Sequence, residues 1–235
     1  VLADKPQRSS IIFVLFSAEE QGRLGSLAFV RDYLQAQGFP QSNTYMINLD
    51  TIGSVNDSNG NNNDHQIRVF SQPPNDSTSR QLARTINFIG YNFGLDLEIV
   101  LEDNIDRPGR WGDQQSFSDN GYPAVRFIEA LEDHYNRESR DTMDGVEPYY
   151  LTKSTRTVLG VILSLAGGPR PPVNMAFRSD EETGMPYLIW EEVPDAAAYW
   201  VALRRTNDLN VSTQFKVVES RTGAWHRWGE FEAVS

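Results

Sequence analysis

Two adjacent carboxylates, Glu19 and Glu20, are the residues of this chain most directly suited to chemistry. They follow the apolar run Ile-Ile-Phe-Val-Leu-Phe at positions 11–16, which predicts a buried strand of an α/β sheet. Ligands bind at the carboxyl ends of such strands. Because neighbouring carboxylates repel each other unless one is protonated or bound to a cation, one of the pair could bind a metal ion while the other moves protons. The alternative is an acidic first turn of a helix, which the helix dipole favours.

A second strand is predicted over residues 45–50, and it also ends in an acidic residue, Asp50. The segments Ser-Ala-Glu-Glu-Gln-Gly at 17–22 and Asn-Leu-Asp at 48–50 together resemble the M28 family of zinc exopeptidases. This resemblance implies that Glu19 is the general base and that Glu20 and Asp50 are ligands of two different zinc ions. It also implies a peptide substrate.

The stretch after residue 111 extends this resemblance. The family pattern Ser-Asp-His-x-x-Phe, followed by a Gly-x-Pro-Ala strand, corresponds here to Gly-Asp-Gln-Gln-Ser-Phe at 112–117 and a predicted strand at 121–129. The resemblance implies that Asp113 supports the metal ligands or the substrate. Gln114 stands where the family has a histidine that is not itself a ligand, so this change concerns the support of the site. Alternatively, Asp113 caps a helix that starts near Gln114.

The chain has three histidines, and His134 is the one that the resemblance implies is the last metal ligand. It follows the predicted strand and precedes Asp141 by seven residues. The family places its histidine closer to the Asp-Thr pair, which leaves either a local insertion or a lost ligand. Tyr135 and Asp141 are expected to support the substrate or the ligands. His65 and His226 are expected at the surface or in packing.

The first part of the expected metal site has no candidate in this sequence. The resemblance implies a His-x-Asp motif and a bridging Asp before Glu19, and neither is found there. Since the chain opens on Val1, without an initiator Met or a signal peptide, we expect it to be a piece of a longer protein. A preceding segment or a second chain would then complete the site.

Composition excludes several function classes. The 235 residues are 39% apolar and carry a net charge of -11, which argues against nucleic acid and anionic membrane surfaces as partners. No apolar run approaches the roughly 20 residues that span a bilayer. With no cysteine, the plausible metal ligands are His, Asp and Glu. The expected location is extracellular or in the cell envelope.

Hydrophobic periodicity predicts the elements that position these residues. The predicted helices span 21–38, 76–93 and 149–166, and further strands span 66–70 and 97–101. The fold class is therefore α/β, and the resemblance implies a three-layer zinc-exopeptidase sheet of the phosphorylase/hydrolase type with helices on both faces. The polar loop 56–64 could bind calcium through its Asp and Asn oxygens, or could be a solvated turn.

The pattern changes after a Gly/Pro linker at 168–172. Residues 1–167 are predicted to form the peptidase domain, without its N-terminal part. Residues 173–235 read as short strands, and Leu-x-Trp at 188–190 with the following residues resembles a fibronectin type III module, a β-sandwich. Trp190 would be a core residue. Such a module would bind a surface, a partner or a large substrate, and at this length it is expected to be incomplete.

These observations favour a zinc-dependent exopeptidase, with aminopeptidase as the majority activity of the family. Carboxypeptidases and glutaminyl cyclases of the same family remain open. A different class is a degenerate, non-catalytic peptidase-like protein that serves binding or assembly, which Gln114 and the position of His134 favour. A nucleotide-binding domain is opposed by the lack of a phosphate-cradling glycine loop after any predicted strand.

Overall fold

A four-stranded mixed sheet forms the centre of the first part of the chain. The computed structural model describes residues 4–103, 112–132, 142–184, 186–194, 196, 198–202, 204, 207–210, 215–219 and 225–227. The strands are β1 (Met46–Leu49), β2 (Gln66–Ser71), β3 (Glu98–Glu102) and β4 (Ala124–Glu129), in the order β1-β4-β2-β3. β1 runs parallel to β4, and β4 runs antiparallel to β2. The carboxyl ends of β1 and β4 therefore meet at one edge of the sheet.

The helices lie close to the predicted positions. They are α1 (Leu24–Phe29), which continues as a π-helical stretch (Val30–Gln35), then α2 (Thr78–Phe93), α3 (Gln114–Ser118) and α4 (Pro148–Gly167). In α2 the Ser77 hydroxyl accepts the Arg80 backbone N–H at 3.1 Å, and Gly94 ends the helix in the left-handed conformation. The predicted helices and the strands that became β1 to β4 are confirmed, with ends shifted by a few residues.

Two apolar cores lie on opposite faces of the sheet. The first joins Val125 and Phe127 of β4 to α2 and α4. The second joins Ala124 to Phe117 of α3 and to Val30 at the end of α1. Because successive side chains of a strand point to opposite faces, helices cover both faces of β4. This agrees with the predicted α/β class.

The predicted strand at 11–16 is wrong. This segment forms no strand in the structure, and Ile12, Phe13, Val14 and Leu15 are exposed. Of the run, Phe16 alone joins an apolar core, beside Phe29 and Phe117. The apolar composition is typical of a strand, but a strand also needs a hydrogen-bonded neighbour. Among the described strands none pairs with this segment.

The chain divides into two compact units. One comprises Val1–Ala166 and Arg204–Val211, and the other comprises Gly167–Leu203 and Ser212–Ser235. The described residues of the second unit form β5 (Ala176–Ser179), β6 (Pro186–Ile189), β7 (Ala198–Ala202), β8 (Phe215–Glu219) and β9 (Trp225–Arg227). These strands form sheets in the orders β5-β6-β9 and β7-β8.

Trp190 is a core residue of the second unit, as predicted. It is buried and packs edge-on against Tyr199, with ring centroids 5.1 Å apart. The Tyr199 hydroxyl accepts the Val193 backbone N–H at 2.7 Å. The fibronectin type III assignment itself stays a prediction.

The polar loop 56–64 is a turn held by Asp57. The Asp57 carboxylate accepts the backbone N–H groups of Asn59 and Asn61, both at 2.9 Å, and the Asn61 side-chain amide at 2.8 Å. These hydrogen bonds, foremost that from the Asn61 side chain, hold the pKa of Asp57 below its usual value. The loop thus has the geometry of an Asx-type turn, and calcium binding there stays a prediction.

In the part of the chain that the structure describes, no helix is both long and apolar enough to cross a membrane.

Candidate active site

Glu19 and Glu20 lie in a tight turn that precedes α1. Because α1 begins only at Leu24, the alternative of an acidic first helical turn is wrong. The Glu19 carbonyl accepts the N–H groups of Gly22 at 3.0 Å and Arg23 at 2.7 Å. Ala18, directly before the acidic pair, has a φ of 57°. Non-glycine residues in this region are uncommon and occur at functional sites more often than elsewhere.

Gly25 closes this turn. Its N–H donates to the Ser17 carbonyl at 3.1 Å, and a Cβ atom at this position would lie 2.5 Å from the same oxygen. Only glycine allows this close approach of two backbone segments. The Gly-x-Leu-Gly spacing after the acidic pair is therefore part of what shapes the turn.

Asp50 lies at the carboxyl end of β1 and forms an ion pair across to β4. Its Oδ2 is 3.1 Å from Nη2 of Arg126, whose side chain is 3% exposed. The Asp50 N–H donates to the Phe127 carbonyl at 3.3 Å, which continues the parallel ladder past the end of β1. The next residue, Thr51, has a φ of 50°. Asp50, like Glu19, thus has a left-handed residue as its immediate neighbour.

A buried polar contact lies beside this ion pair. The Asn48 side-chain amide donates to Oε1 of Gln114 at 3.1 Å, and both side chains are buried. A Cβ atom on Gly112 would lie 2.6 Å from that Gln114 oxygen. Gln114, which replaces the histidine of the family pattern, is thus held at the end of β1 by its hydrogen bond with Asn48.

Asp113 is buried without capping the helix that follows it. No side-chain hydrogen bond caps α3, so the predicted capping role is wrong. Its Oδ1 is buried and has no hydrogen-bond partner. Burial, together with the nearby Asp50 carboxylate, raises the pKa of Asp113, while a hydrogen bond with Ser26 and the Arg23 guanidinium act in the opposite direction.

The structure therefore brings three predicted segments together. Asp113 interacts with Asp50 at the end of β1, and with Arg23 and Ser26, which follow the turn that carries Glu19 and Glu20. The Ser26 hydroxyl also lies 2.8 Å from that of Ser116 in α3. Asp50 lies at the carboxyl end of β1, the side of an α/β sheet where ligands bind, and Asp113 lies near it.

The metal site is only partly represented among the described residues. The predicted residues His134, Tyr135 and Asp141 lie outside the residues that the structure describes. Within the described ranges, no three His, Asp or Glu side chains are close enough together to hold a metal ion. The donors at the site still fit zinc in type, since Asp50 is a carboxylate and the buried Asp113 oxygen has no other partner.

A family model for peptidase family M28 matches residues 1–162. The chain belongs to peptidase family M28. This M28 chain is 26% identical over 219 residues to a probable zinc metalloprotease of Pyrenophora tritici-repentis, a match that covers 81% of the chain and 50% of that protein. It is 29% identical over 229 residues to a probable zinc metalloprotease of Pyricularia oryzae, covering 84% and 45% respectively. The chain thus spans about half the length of the curated relatives it matches.

A solved structure shares the fold of this M28 chain. The structure of the LapA aminopeptidase of Legionella pneumophila superposes with a TM-score of 0.53 at 24% sequence identity, covering 66% of this chain and 39% of that one. At this level of identity the similarity shows a common fold, and it agrees with the α/β class predicted from the sequence.

Sequence reasoning missed two charged residues of the M28 chain at this site. Arg126 and Glu129 both lie in β4 and both are buried. The signal was present, because an arginine within the strand Ala-Val-Arg-Phe-Ile-Glu breaks an otherwise apolar run. A buried charge needs a partner, and here the partners come from the segment that carries Asp50.

Proposed function

We propose that this chain is the catalytic part of a zinc-dependent exopeptidase, and specifically of an aminopeptidase. One observation supports the proposal above the others: the buried Asp113 lies near Asp50 at the end of β1, and near Arg23 and Ser26, which follow the turn with Glu19 and Glu20. The names of the relatives, which are probable zinc metalloproteases, and the aminopeptidase fold support it.

The proposed roles follow the family pattern. Glu20, Asp50 and His134 would hold zinc, with two ions in the complete site. Zinc, when bound, makes a water molecule more acidic and polarises the scissile carbonyl group. Glu19 would accept the proton of the attacking water and deliver it to the leaving amine. Asp113, Tyr135 and Asp141 would support the ligands or the substrate.

The remaining zinc ligands would come from a segment outside this sequence or from a second chain. One observation supports this part of the proposal: the chain spans about half the length of the relatives it matches. The activity would then belong to the full-length polypeptide.

The test combines zinc content with a proton-transfer variant. Elemental mass spectrometry on the dialysed full-length protein should give about two zinc ions per chain. Hydrolysis of amino-acid anilides with a free amino terminus should be measured beside amino-blocked and carboxypeptidase substrates. Glu19→Gln should abolish turnover with zinc retained, whereas Glu20→Gln should reduce zinc content. Glu181→Gln, at an exposed position of the second unit, is the matched control.

The second candidate is a degenerate peptidase domain that binds or assembles without catalysis. One observation favours it: Gln114 stands where the family pattern has a histidine, and its side chain accepts a hydrogen bond from Asn48. A protein that retains no zinc, or Glu19→Gln with an unchanged rate, would reject the exopeptidase and favour this second function.

A further inference from the structure

The turn after Asp50 has an unusual conformation at its first residue. Thr51 has a φ of 50°, a region in which a β-branched residue is an outlier. Its hydroxyl oxygen is also buried without a hydrogen-bond partner. Strain of this kind persists only where the surrounding structure enforces it, and it is concentrated at functional sites.

Glu129, the last residue of β4, enforces this turn from both ends. Its backbone N–H donates to the Thr51 carbonyl at 2.8 Å. Its Oε2 accepts the backbone N–H groups of Gly53 at 3.1 Å and Ser54 at 2.7 Å. Glu129 is 2% exposed, and a carboxylate so buried is stable only with strong donors.

The turn determines the orientation of Asp50, which lies directly before it. Three residues of β4 act on the segment: Arg126 binds the Asp50 carboxylate, Phe127 accepts the Asp50 N–H, and Glu129 holds the turn. Arg126 and Glu129 are separated by an odd number of positions, so their side chains leave β4 on opposite faces. β4 thus contacts the Asp50 segment from both faces of the sheet.

The turn is also tied to the segment that leads into α4. The Gly53 carbonyl accepts the Glu147 N–H at 2.8 Å, and Gly53 faces the Val146 side chain. A shift of the turn would therefore be resisted on one side by Glu129 and on the other by residues 146–147. This two-sided attachment fixes the backbone from which the Asp50 side chain extends.

We propose that Glu129 is a positioning residue for Asp50: it holds the strained Thr51–Ser54 turn, and thereby aims the Asp50 carboxylate at the metal. The inference rests on the proposed function, in which Asp50 binds zinc. Residues that orient metal ligands change metal affinity by about 10- to 100-fold when they are removed. Glu129 should act in this way although it is not itself a ligand.

The experiment compares Glu129→Ala with Glu129→Gln in the longest form of the protein that binds zinc as wild type. Zinc affinity is measured by competition with a chelator, and amide hydrogen exchange is followed at Gly53 and Ser54. Glu129→Ala should lose about 10- to 100-fold in zinc affinity, with faster exchange at both amides. Glu129→Gln retains an acceptor oxygen for the same N–H groups and should recover most of the affinity.

Thr157→Val is the control for general destabilisation. It removes a buried hydroxyl that accepts the Leu97 N–H at 3.1 Å, at the segment that leads into β3. It should lower the melting temperature and leave zinc affinity unchanged. The proposal is overturned if Glu129→Ala retains wild-type zinc affinity, or if Thr157→Val loses as much.

A second variant covers the case in which Glu129→Ala does not fold. Glu129→Asp keeps the carboxylate and the backbone N–H that donates to Thr51, but its side chain is one methylene shorter and loses the hydrogen bonds from the Gly53 and Ser54 N–H groups. It should bind zinc more weakly than Glu129→Gln, and unchanged affinity would overturn the proposal. Failure of the proposed function would look different: the wild type would bind no zinc, while the slow exchange at Gly53 and Ser54 would still be lost in the Glu129 variants.

Discussion

At the scale of single residues, buried charged side chains support the edge of the sheet at which the candidate site lies. Arg126, Glu129 and Asp113 are all buried at the carboxyl ends of β1 and β4. Burying a charge is costly unless it is paired or hydrogen-bonded, and a hydrophobic side chain of similar size would often be at least as stable. Their presence here is explained by what they hold, since Arg126 and Glu129 contact the segment of Asp50 and Asp113 lies beside it.

The buried Tyr150 predicts a pH dependence of the free energy of unfolding. Burial is the main cause that raises its pKa to about 12. Between the ordinary value of about 10 and that value, the phenol ionises in the unfolded chain while it stays neutral in the folded one. The free energy of unfolding should therefore be unaffected by this group below pH 10, and should fall as the pH rises from about 10 to about 12.

Tyr150→Phe should cost about 1 to 2 kcal/mol at pH 7, because two buried backbone groups lose their partner. In urea unfolding series, the gap between wild type and variant should narrow between pH 10 and 12. Tyr45→Phe, at an exposed position, is the control for loss of a tyrosine. Parallel pH profiles for Tyr150→Phe and wild type would contradict the argument.

At the scale of elements, the local hydrophobic pattern correctly predicted those helices and strands that depend mainly on local sequence. The helices α2 and α4 and the strands β1 to β4 follow from apolar spacing with turn residues at their ends, and the structure has them within a few residues. The Glu-Glu and Asn-Leu-Asp segments were sufficient to propose Glu19, Glu20 and Asp50 as site residues, and these roles stay predictions. These features need no knowledge of distant partners.

Features that depend on distant partners could not be predicted in this way. Residues 11–16 have the composition of a strand, but a strand requires a ladder, which is a property of other segments. Likewise Arg126 and Asp50 are 76 positions apart in the numbering (126 minus 50), and no spacing rule connects them. Asp113 has the sequence of a helix cap, yet its tertiary surroundings bury it instead.

The turn that carries Glu19 offers a test at this scale. In Gly25→Ala the added methyl group would lie 2.5 Å from the Ser17 carbonyl oxygen, a backbone atom that cannot move without opening the turn. We expect a loss of about 1 to 3 kcal/mol in unfolding free energy. With the proposed role of Glu19 as base, kcat/KM of the full-length protein should fall by about 100-fold, because a displacement of about 1 Å costs that much.

Gly145→Ala is the matched control for this variant. No atom lies within 4 Å of the position that its Cβ would take, and its φ is not positive. It should change the unfolding free energy by less than about 0.5 kcal/mol and leave kcat/KM near wild type. Equal behaviour of the two variants would show that the Glu19 turn does not depend on Gly25.

At the scale of the whole molecule, the described sheet ends in exposed apolar surface. β1 pairs with β4 on one side, and its last residue, Leu49, is 46% exposed. Ile12, Phe13, Val14 and Leu15 are also exposed. Edge strands and exposed apolar side chains are places where other chain segments pair or pack in soluble proteins.

The first compact unit depends on a segment that is remote in sequence. Arg84 of α2 is 4% exposed and donates to the Asn75 carbonyl at 2.8 Å and the Leu209 carbonyl at 2.7 Å. It also contacts the Asp208 carbonyl and the Asn75 side chain. Burial, with the nearby Arg204 and Arg80 guanidinium groups, lowers the pKa of Arg84 to about 10. Residues 208 and 209 thus supply acceptors that this buried cation needs.

Loss of these contacts should destabilise the unit that contains the candidate active site. In Arg84→Ala, the carbonyls of Asn75, Asp208 and Leu209 lose a charged donor, and hydrogen bonds to charged groups contribute about 1.5 to 3 kcal/mol each in favourable cases. Since part of this is recovered by water, we expect a loss of about 2 to 4 kcal/mol in urea unfolding. Arg156→Ala, whose exposed side chain pairs with Asp96 at 3.0 Å, is the control and should cost less than about 1 kcal/mol.

A fragment ending at Gly167 keeps Arg84 and loses residues 208 and 209, so it should be destabilised to a similar extent. If that fragment were as stable as the full chain, or if Arg84→Ala matched Arg156→Ala, then residues 204–211 would not be part of the folded peptidase unit.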